Sequence, residues 1–120
     1  MARRILIVDD NPDLALTLKL AVELDGHTAH TAATGREALK LLKQEPADIL
    51  ITDLFMPDSD GFELIDAVRR ELPGIRIIVM SGGTRRLKGE YLSSAALMDV
   101  DATLQKPFDI PDLLALLKTY

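Results

Sequence analysis

A chain of 120 residues with 48% hydrophobic and 28% charged side chains has room for one globular domain and is too apolar for disorder. A net charge of −5 beside few aromatics argues against a nucleic-acid surface, and the absence of Cys excludes a disulfide scaffold, a thiol nucleophile and a thiolate metal site, as suits the cytoplasm. The run from Ile5 to Val8 meets Asp9 too soon for a signal peptide, and no stretch is long enough to span a membrane.

Ile5-Leu6-Ile7-Val8 is a continuous aliphatic run, as expected of a strand covered on both faces, and it ends in Asp9-Asp10. Asn11 as N-cap and Pro12 at the first helical position predict a helix running to Leu24, stopped by Asp25-Gly26. His27 to Ala32 suits a short second strand. Thr34 caps a second helix with Ala38, Leu41 and Leu42 on one face, ended by Gln44-Glu45-Pro46. The third strand, Ile49 to Thr52, delivers Asp53 to a turn from Pro57 to Gly61. Ile65, Val68 and Leu72 mark a third helix closed by Pro73-Gly74, and Ile75 to Met80 is a fourth strand stopping at Ser81-Gly82-Gly83. Leu87, Tyr91, Ala95 and Met98 form one stripe of a predicted helix over 84–98. Asp101 to Gln105 reads as a fifth strand ending at Lys106-Pro107, and Asp109 opens a last helix with Ile110, Leu113, Leu114 and Leu117 inward.

Five strands alternating with five helices predict an α/β fold: a doubly wound parallel sheet with right-handed crossovers and helices on both faces. The carboxyl ends of parallel strands share one edge, where ligands of such sheets bind. Asp9-Asp10, Asp53, Ser81 and Lys106 all stand at that edge. Any one of them could be a cap or a turn residue, but three acids, a hydroxyl and an ammonium gathered together make a site. The carboxylates repel unless they share a cation, and an oxygen-only donor set without His or Cys favours Mg²⁺, with Mn²⁺ as a substitute. A backbone carbonyl just after Asp53 could complete that shell. With a metal and Lys106 to neutralise phosphoryl oxygens, a carboxylate can attack phosphorus itself and become an aspartyl phosphate, Ser81 donating a hydrogen bond.

Over nearly its whole length the chain resembles a response-regulator receiver domain of two-component signalling, of the single-domain, chemotaxis-regulator-like type. The residues that carry the resemblance are Asp9-Asp10, Asp53 with Met56-Pro57 and Asp60-Gly61, Ser81, and Lys106-Pro107-Phe108, each in the family's order. The resemblance implies a flavodoxin-like five-stranded sheet in the order 2-1-3-4-5, one receiver domain over 1–120, and no output domain after Tyr120. It also implies roles: Asp53 as phosphoacceptor; Asp10, Asp53 and the Phe55 carbonyl on Mg²⁺, with Asp9 acting largely through water; Ser81 and Lys106 on the phosphoryl group. The implied donor is a histidine kinase or histidine phosphotransfer protein, the receiver catalysing its own phosphorylation and slow dephosphorylation. A downstream protein would engage the face from Thr84 to Tyr120, and homodimerisation is left open.

Three departures bear on how such a domain would signal. Thr103 stands where receivers usually carry a switching Tyr or Phe, and Tyr91, the aromatic that could stand in, reads more plainly as a residue of its own stripe. The stretch between Ser81 and Lys106 is longer than usual, with Asp99-Val100 in place of Gly-Ala. Phe55 is apolar where many receivers have a polar residue, so it cannot orient water, and Gly83 offers no side chain to do so. These features lead us to expect a long-lived phosphoryl group, a switch region of Ser81, Gly82, Gly83 and Thr103, and a rearrangement of the loop at Ser81-Gly82-Gly83 and the segment Thr84 to Met98 without an inward aromatic flip. The competing readings are a Mg²⁺-dependent phosphohydrolase, a binding module that is never phosphorylated, and a flavodoxin-type cofactor binder. The first lacks its second acid at Phe55, the second leaves a complete acid, hydroxyl and lysine set unused, and the third would find Asp9-Asp10 repelling its phosphate.

Overall fold

Ile5, Leu6, Ile7 and Val8 are each at most 3% exposed, so both sides of the first run are covered, as its unbroken apolar character requires. The computed structural model describes residues 2–56, 59–81 and 100–120, apart from the side chains at 55, 56, 59 and 60. The elements in chain order are β1 (Arg4–Val8), α1 (Pro12–Leu24), β2 (Thr28–Ala32), α2 (Gly35–Gln44), β3 (Ile49–Asp53), β4 (Phe55–Met56), β5 (Ser59–Asp60), α3 (Gly61–Glu71), β6 (Arg76–Ser81), β7 (Ala102–Gln105) and α4 (Ile110–Thr119). The helix predicted over 84–98 lies outside the described residues, so four of the five expected helices are described.

The main sheet is parallel in the order β2-β1-β3-β6-β7, which is the expected 2-1-3-4-5 once the small strands are set aside. β4 and β5 form a separate antiparallel pair, Phe55 opposite Asp60 and Met56 opposite Ser59. Where the sequence suggests only a turn, the backbone folds back as a short hairpin. Two cores flank the sheet because successive strand residues point to opposite faces. Leu6, Val8, Leu50, Ile77 and Val79 meet Ala38 and Leu42 of α2 and Leu64, Ile65 and Val68 of α3 on one side. Ile5, Ile7, Ile49, Ile51, Ile78, Met80 and Leu104 meet Ala15, Leu18 and Val22 of α1 and Leu113 and Leu117 of α4 on the other.

Caps explain the helix limits. Asn11 Oδ1 accepts from the amides of Asp13 and Leu14 at 3.0 and 3.2 Å, with Pro12 beginning the helix, and Thr34 Oγ1 accepts from Glu37 N–H at 3.1 Å. Gly26, at φ 96°, closes α1 in a conformation that side chains resist, and its N–H reaches the Glu23 carbonyl at 3.0 Å. Asp109 stands at the N-cap of α4 but its side chain makes no capping hydrogen bond, and Pro within the first turn leaves one amide fewer to satisfy.

Leu18 is fully buried and Leu24 is 90% exposed, although both belong to α1. In urea unfolding, Leu18→Ala is expected to cost about 2–5 kcal/mol. Leu24→Ala should stay within about 0.5 kcal/mol of the wild type.

Candidate functional site

The carboxyl edge of the sheet collects residues from four strands. Asp9 follows β1 and is 2% exposed, its backbone N–H still bonded to the Ala32 carbonyl of the neighbouring strand at 3.1 Å. Asp10, one residue on, turns to solvent. Asp53 is the last residue of β3 and is 8% exposed. Carboxylate oxygens of Asp9, Asp10 and Asp53 all lie within 4.8 Å of one another.

Lys106 reaches into this cluster from the end of β7. Its ammonium donates to Asp9 Oδ2 at 2.7 Å and to Asp53 Oδ2 at 3.2 Å. Burial by itself would lower the Lys106 pKa, but the hydrogen bond to Asp9 and the charges of Asp53 and Asp9 together outweigh it and hold the ammonium above its ordinary value. The ammonium therefore keeps its proton and serves as one cation for two acids. Asp9 is engaged through both oxygens, since Oδ1 accepts from Asn11 N–H at 2.9 Å. This is the contribution of Asn11 that sequence reading misses: the same residue caps α1 with its side chain and orients Asp9 with its amide.

Ser81 ends β6 and is 1% exposed, and its hydroxyl has no hydrogen-bond partner among the described residues. An orphaned buried donor at a site edge is a place for an acceptor oxygen. The Ser81 carbonyl in turn accepts from Lys106 N–H at 2.6 Å, which brings the fourth and fifth strand ends together. The peptide between Lys106 and Pro107 is cis. An oxygen-only donor set of three acids, with Asp10 open to solvent, fits a hard divalent cation such as Mg²⁺.

Close packing holds Asp53 from behind. A side chain at Gly61 would place its first carbon 2.5 Å from the Asp53 carbonyl and 2.7 Å from Leu54 Cα, and Gly61 N–H donates to Leu54 O at 3.0 Å. Only glycine lets α3 begin this close to the residue it supports. Thr52 Oγ1 donates to the Asp53 carbonyl at 2.9 Å. Thr103 lies on β7 opposite Val79, exposed. Gly82 and Gly83 lie outside the described residues, as do Tyr91 and the side chain of Phe55, whose backbone belongs to β4. His27 and His30 are remote from this edge, His27 Nδ1 accepting from Arg3 N–H at 3.0 Å and His30 lying exposed on β2.

A family model of the response regulator receiver domain matches residues 5–118. The chain belongs to that family. It is 36% identical over 116 residues to an uncharacterized 14.6 kDa protein of Leptolyngbya boryana, covering 97% of this chain and 88% of that one. It is 37% identical to the response regulator receiver protein Anae109_2439 of Anaeromyxobacter, covering 95% of this chain but spanning 47% of that relative's length. The crystal structure of a response regulator receiver domain protein (CheY-like) from Methanospirillum hungatei JF-1 superposes with a TM-score of 0.88 at 28% identity, over 99% of this chain and 93% of the other. Receiver domains of two-component systems bind Mg²⁺ and interact with histidine kinases and downstream effectors. Among the described residues of this receiver domain, no helix is long and apolar enough to cross a membrane.

A raised lysine pKa adds stability below the unfolded value and loses it as the pH climbs through the folded one. In urea unfolding without divalent cations, Lys106→Met is expected to be less stable than the wild type at neutral pH. The gap should narrow as the pH rises beyond 10.5, the ordinary value, toward the higher folded value.

Proposed function

We propose that this receiver domain accepts a phosphoryl group on Asp53 in a Mg²⁺-dependent reaction. The observation that carries the reading is the Lys106 ammonium, bonded to Asp53 at 3.2 Å and to Asp9 at 2.7 Å beside the unpartnered hydroxyl of Ser81. Asp10, Asp53 and the main-chain carbonyl of Phe55 would hold the cation, and Asp9, whose own oxygens serve Asn11 and Lys106, would support it through water. When bound, the cation supplies positive charge that offsets the repulsion between phosphoryl oxygens and carboxylates.

The donor is the phosphohistidine of a histidine kinase or histidine phosphotransfer protein. An Asp53 oxygen forms the new P–O bond, the P–N bond of the donor breaks, and the imidazole leaves with the electron pair and takes a proton from solvent. Lys106 bonds one phosphoryl oxygen as a point charge and the Ser81 hydroxyl donates to another. The phosphorylated domain then alters binding of a downstream protein on the face from Thr84 to Tyr120 or passes the group along a relay, in the cytoplasm. One receiver domain occupies 1–120. The rearrangement includes Ser81, Gly82, Gly83 and Thr103 and proceeds without an inward aromatic flip, since Thr103 has no ring to turn. A phosphohydrolase is the weaker reading because Phe55 stands where a second acid would be needed.

Incubation with Mg²⁺ and acetyl phosphate followed by intact mass tests the reading. One stoichiometric adduct is expected in the wild type and none in Asp53→Asn; continuous phosphate release would instead identify a hydrolase. A second expectation concerns lifetime: Phe55 cannot position an attacking water, so Phe55→Asn should dephosphorylate faster than the wild type. Equal rates for the two proteins would remove Phe55 from the explanation.

A further inference from the structure

β7 is held by few of its own side chains. Of Ala102, Thr103, Leu104 and Gln105 only Leu104 is buried, and among the described residues the strand pairs with β6 alone. One buried residue fixes register weakly, and a slip of one residue turns every side chain to the opposite face. Here a slip would carry Gln105 or Pro107 to the place where Lys106 meets Asp9 and Asp53.

Asp101, immediately before β7, is bonded through every polar group it has. Its N–H donates to Ile77 O at 2.9 Å and its carbonyl accepts from the Tyr120 hydroxyl at 2.7 Å. Its Oδ2 accepts from Ile77 N–H at 2.7 Å and from Arg69 Nη2 at 3.0 Å, while Oδ1 faces Arg76 Nη1 at 3.5 Å. Arg69 also donates to Ile75 O at 3.2 Å, joining the end of α3 to the entrance of β6. The flanking residues, Val100 and Ala102, carry no side-chain acceptor, so a slip in either direction forfeits all three carboxylate contacts. Burial pushes the Asp101 carboxyl up, yet the Ile77 N–H and the two guanidinium groups outweigh it and keep the group below its ordinary value, ionised at neutral pH.

We propose that Asp101 is a positioning residue for Lys106: it pins the register of β7 and so sets the ammonium between Asp9 and Asp53. The proposal concerns the reaction rate only insofar as the reading of Asp53 and Lys106 above holds.

The test compares the wild type with Asp101→Ala, Asp101→Asn and Val22→Ala, the last a core truncation on α1 that leaves every Asp101 partner in place. Adduct formation at saturating Mg²⁺ and acetyl phosphate, at a temperature where each protein is folded by circular dichroism, should fall roughly tenfold or more in Asp101→Ala. Asp101→Asn keeps an acceptor for Ile77 N–H and should lie between, and Val22→Ala should match the wild type. The Mg²⁺ concentration for half-maximal rate should hardly move in any of them, because Asp10 and Asp53 do not sit on β7; a shared loss in Val22→Ala would reduce the effect to general destabilisation and overturn the proposal. A second readout needs no phosphorylation: hydrogen exchange of the Lys106 amide should quicken in Asp101→Ala relative to the amides of β1. Unchanged rate with unchanged Lys106 protection would overturn the pin. Absence of an adduct in the wild type would overturn the reading of Asp53 and leave the exchange measurement to decide the pin. If Asp101→Ala fails to fold, Asp101→Asn decides both readouts, wild-type values in it counting against the proposal.

Discussion

The pair of hydrogen bonds from Lys106 to Asp9 and Asp53 is the constraint on which this edge of the molecule depends. It joins residues 97 and 53 positions apart in sequence, so it exists only when the first, third and fifth strands of the sheet are all in register. Two acids this close in a partly dry site repel strongly, and an ammonium shared between them relieves that repulsion while its own charge is stabilised by both. Removing Lys106 would leave two buried carboxylates without compensation, the costly case for an ionic cluster, whereas removing one acid leaves the ammonium paired with the other. The cluster is therefore as much a condition of folding at this edge as it is a preparation for chemistry.

Adjacent acids have different work here because the chain leaving β1 buries Asp9 and exposes Asp10. Asp9 points inward and spends its two oxygens on Asn11 N–H and Lys106, whereas Asp10 points outward and remains open to solvent. Asp10 is thus the solvent-facing member of the acid cluster, with Asp53 buried beside it. The buried hydroxyl of Ser81 stands on the other side of the cluster, where an arriving oxygen would meet its desolvated donor at little cost in reorganisation.

The parts of this arrangement that follow from strand periodicity and strand endings were legible in the sequence: the unbroken apolar runs of β1 and β3, the caps at Asn11 and Thr34, and the convergence of Asp9, Asp10, Asp53, Ser81 and Lys106. A parallel sheet leaves little freedom about where its carboxyl ends lie. Contacts made by the backbone, or by side chains away from that edge, were not legible. Nothing in the order of residues says that Gly61 must press against the Asp53 carbonyl, that the Asn11 amide turns to Asp9, or that Asp101 collects Arg69, Arg76 and Tyr120. Asp101 reads in sequence as the first residue of a strand. In the structure it precedes the ladder and its carboxylate replaces a rung, bonding Ile77 N–H from the side chain. The β4–β5 hairpin escaped notice because two-residue strands carry no periodicity to detect.

The absence of an aromatic ring at Thr103 is easier to understand once the junction of β6 and β7 is considered as a mechanical element. Lys106 N–H bonds the Ser81 carbonyl at 2.6 Å, so the residue that bears the orphaned hydroxyl and the residue that bears the ammonium are already tied through their main chains. A ligand oxygen drawn to both Ser81 Oγ and Lys106 Nζ would pull on one joined unit. In the proposed rearrangement, displacement of that unit would act on β7 as a whole and would need no side chain to swing through the sheet face. The exposed Thr at position 103 fits the rearrangement proposed above, in which β7, held at its start by Asp101 and at its end by Lys106, would carry the movement as a strand.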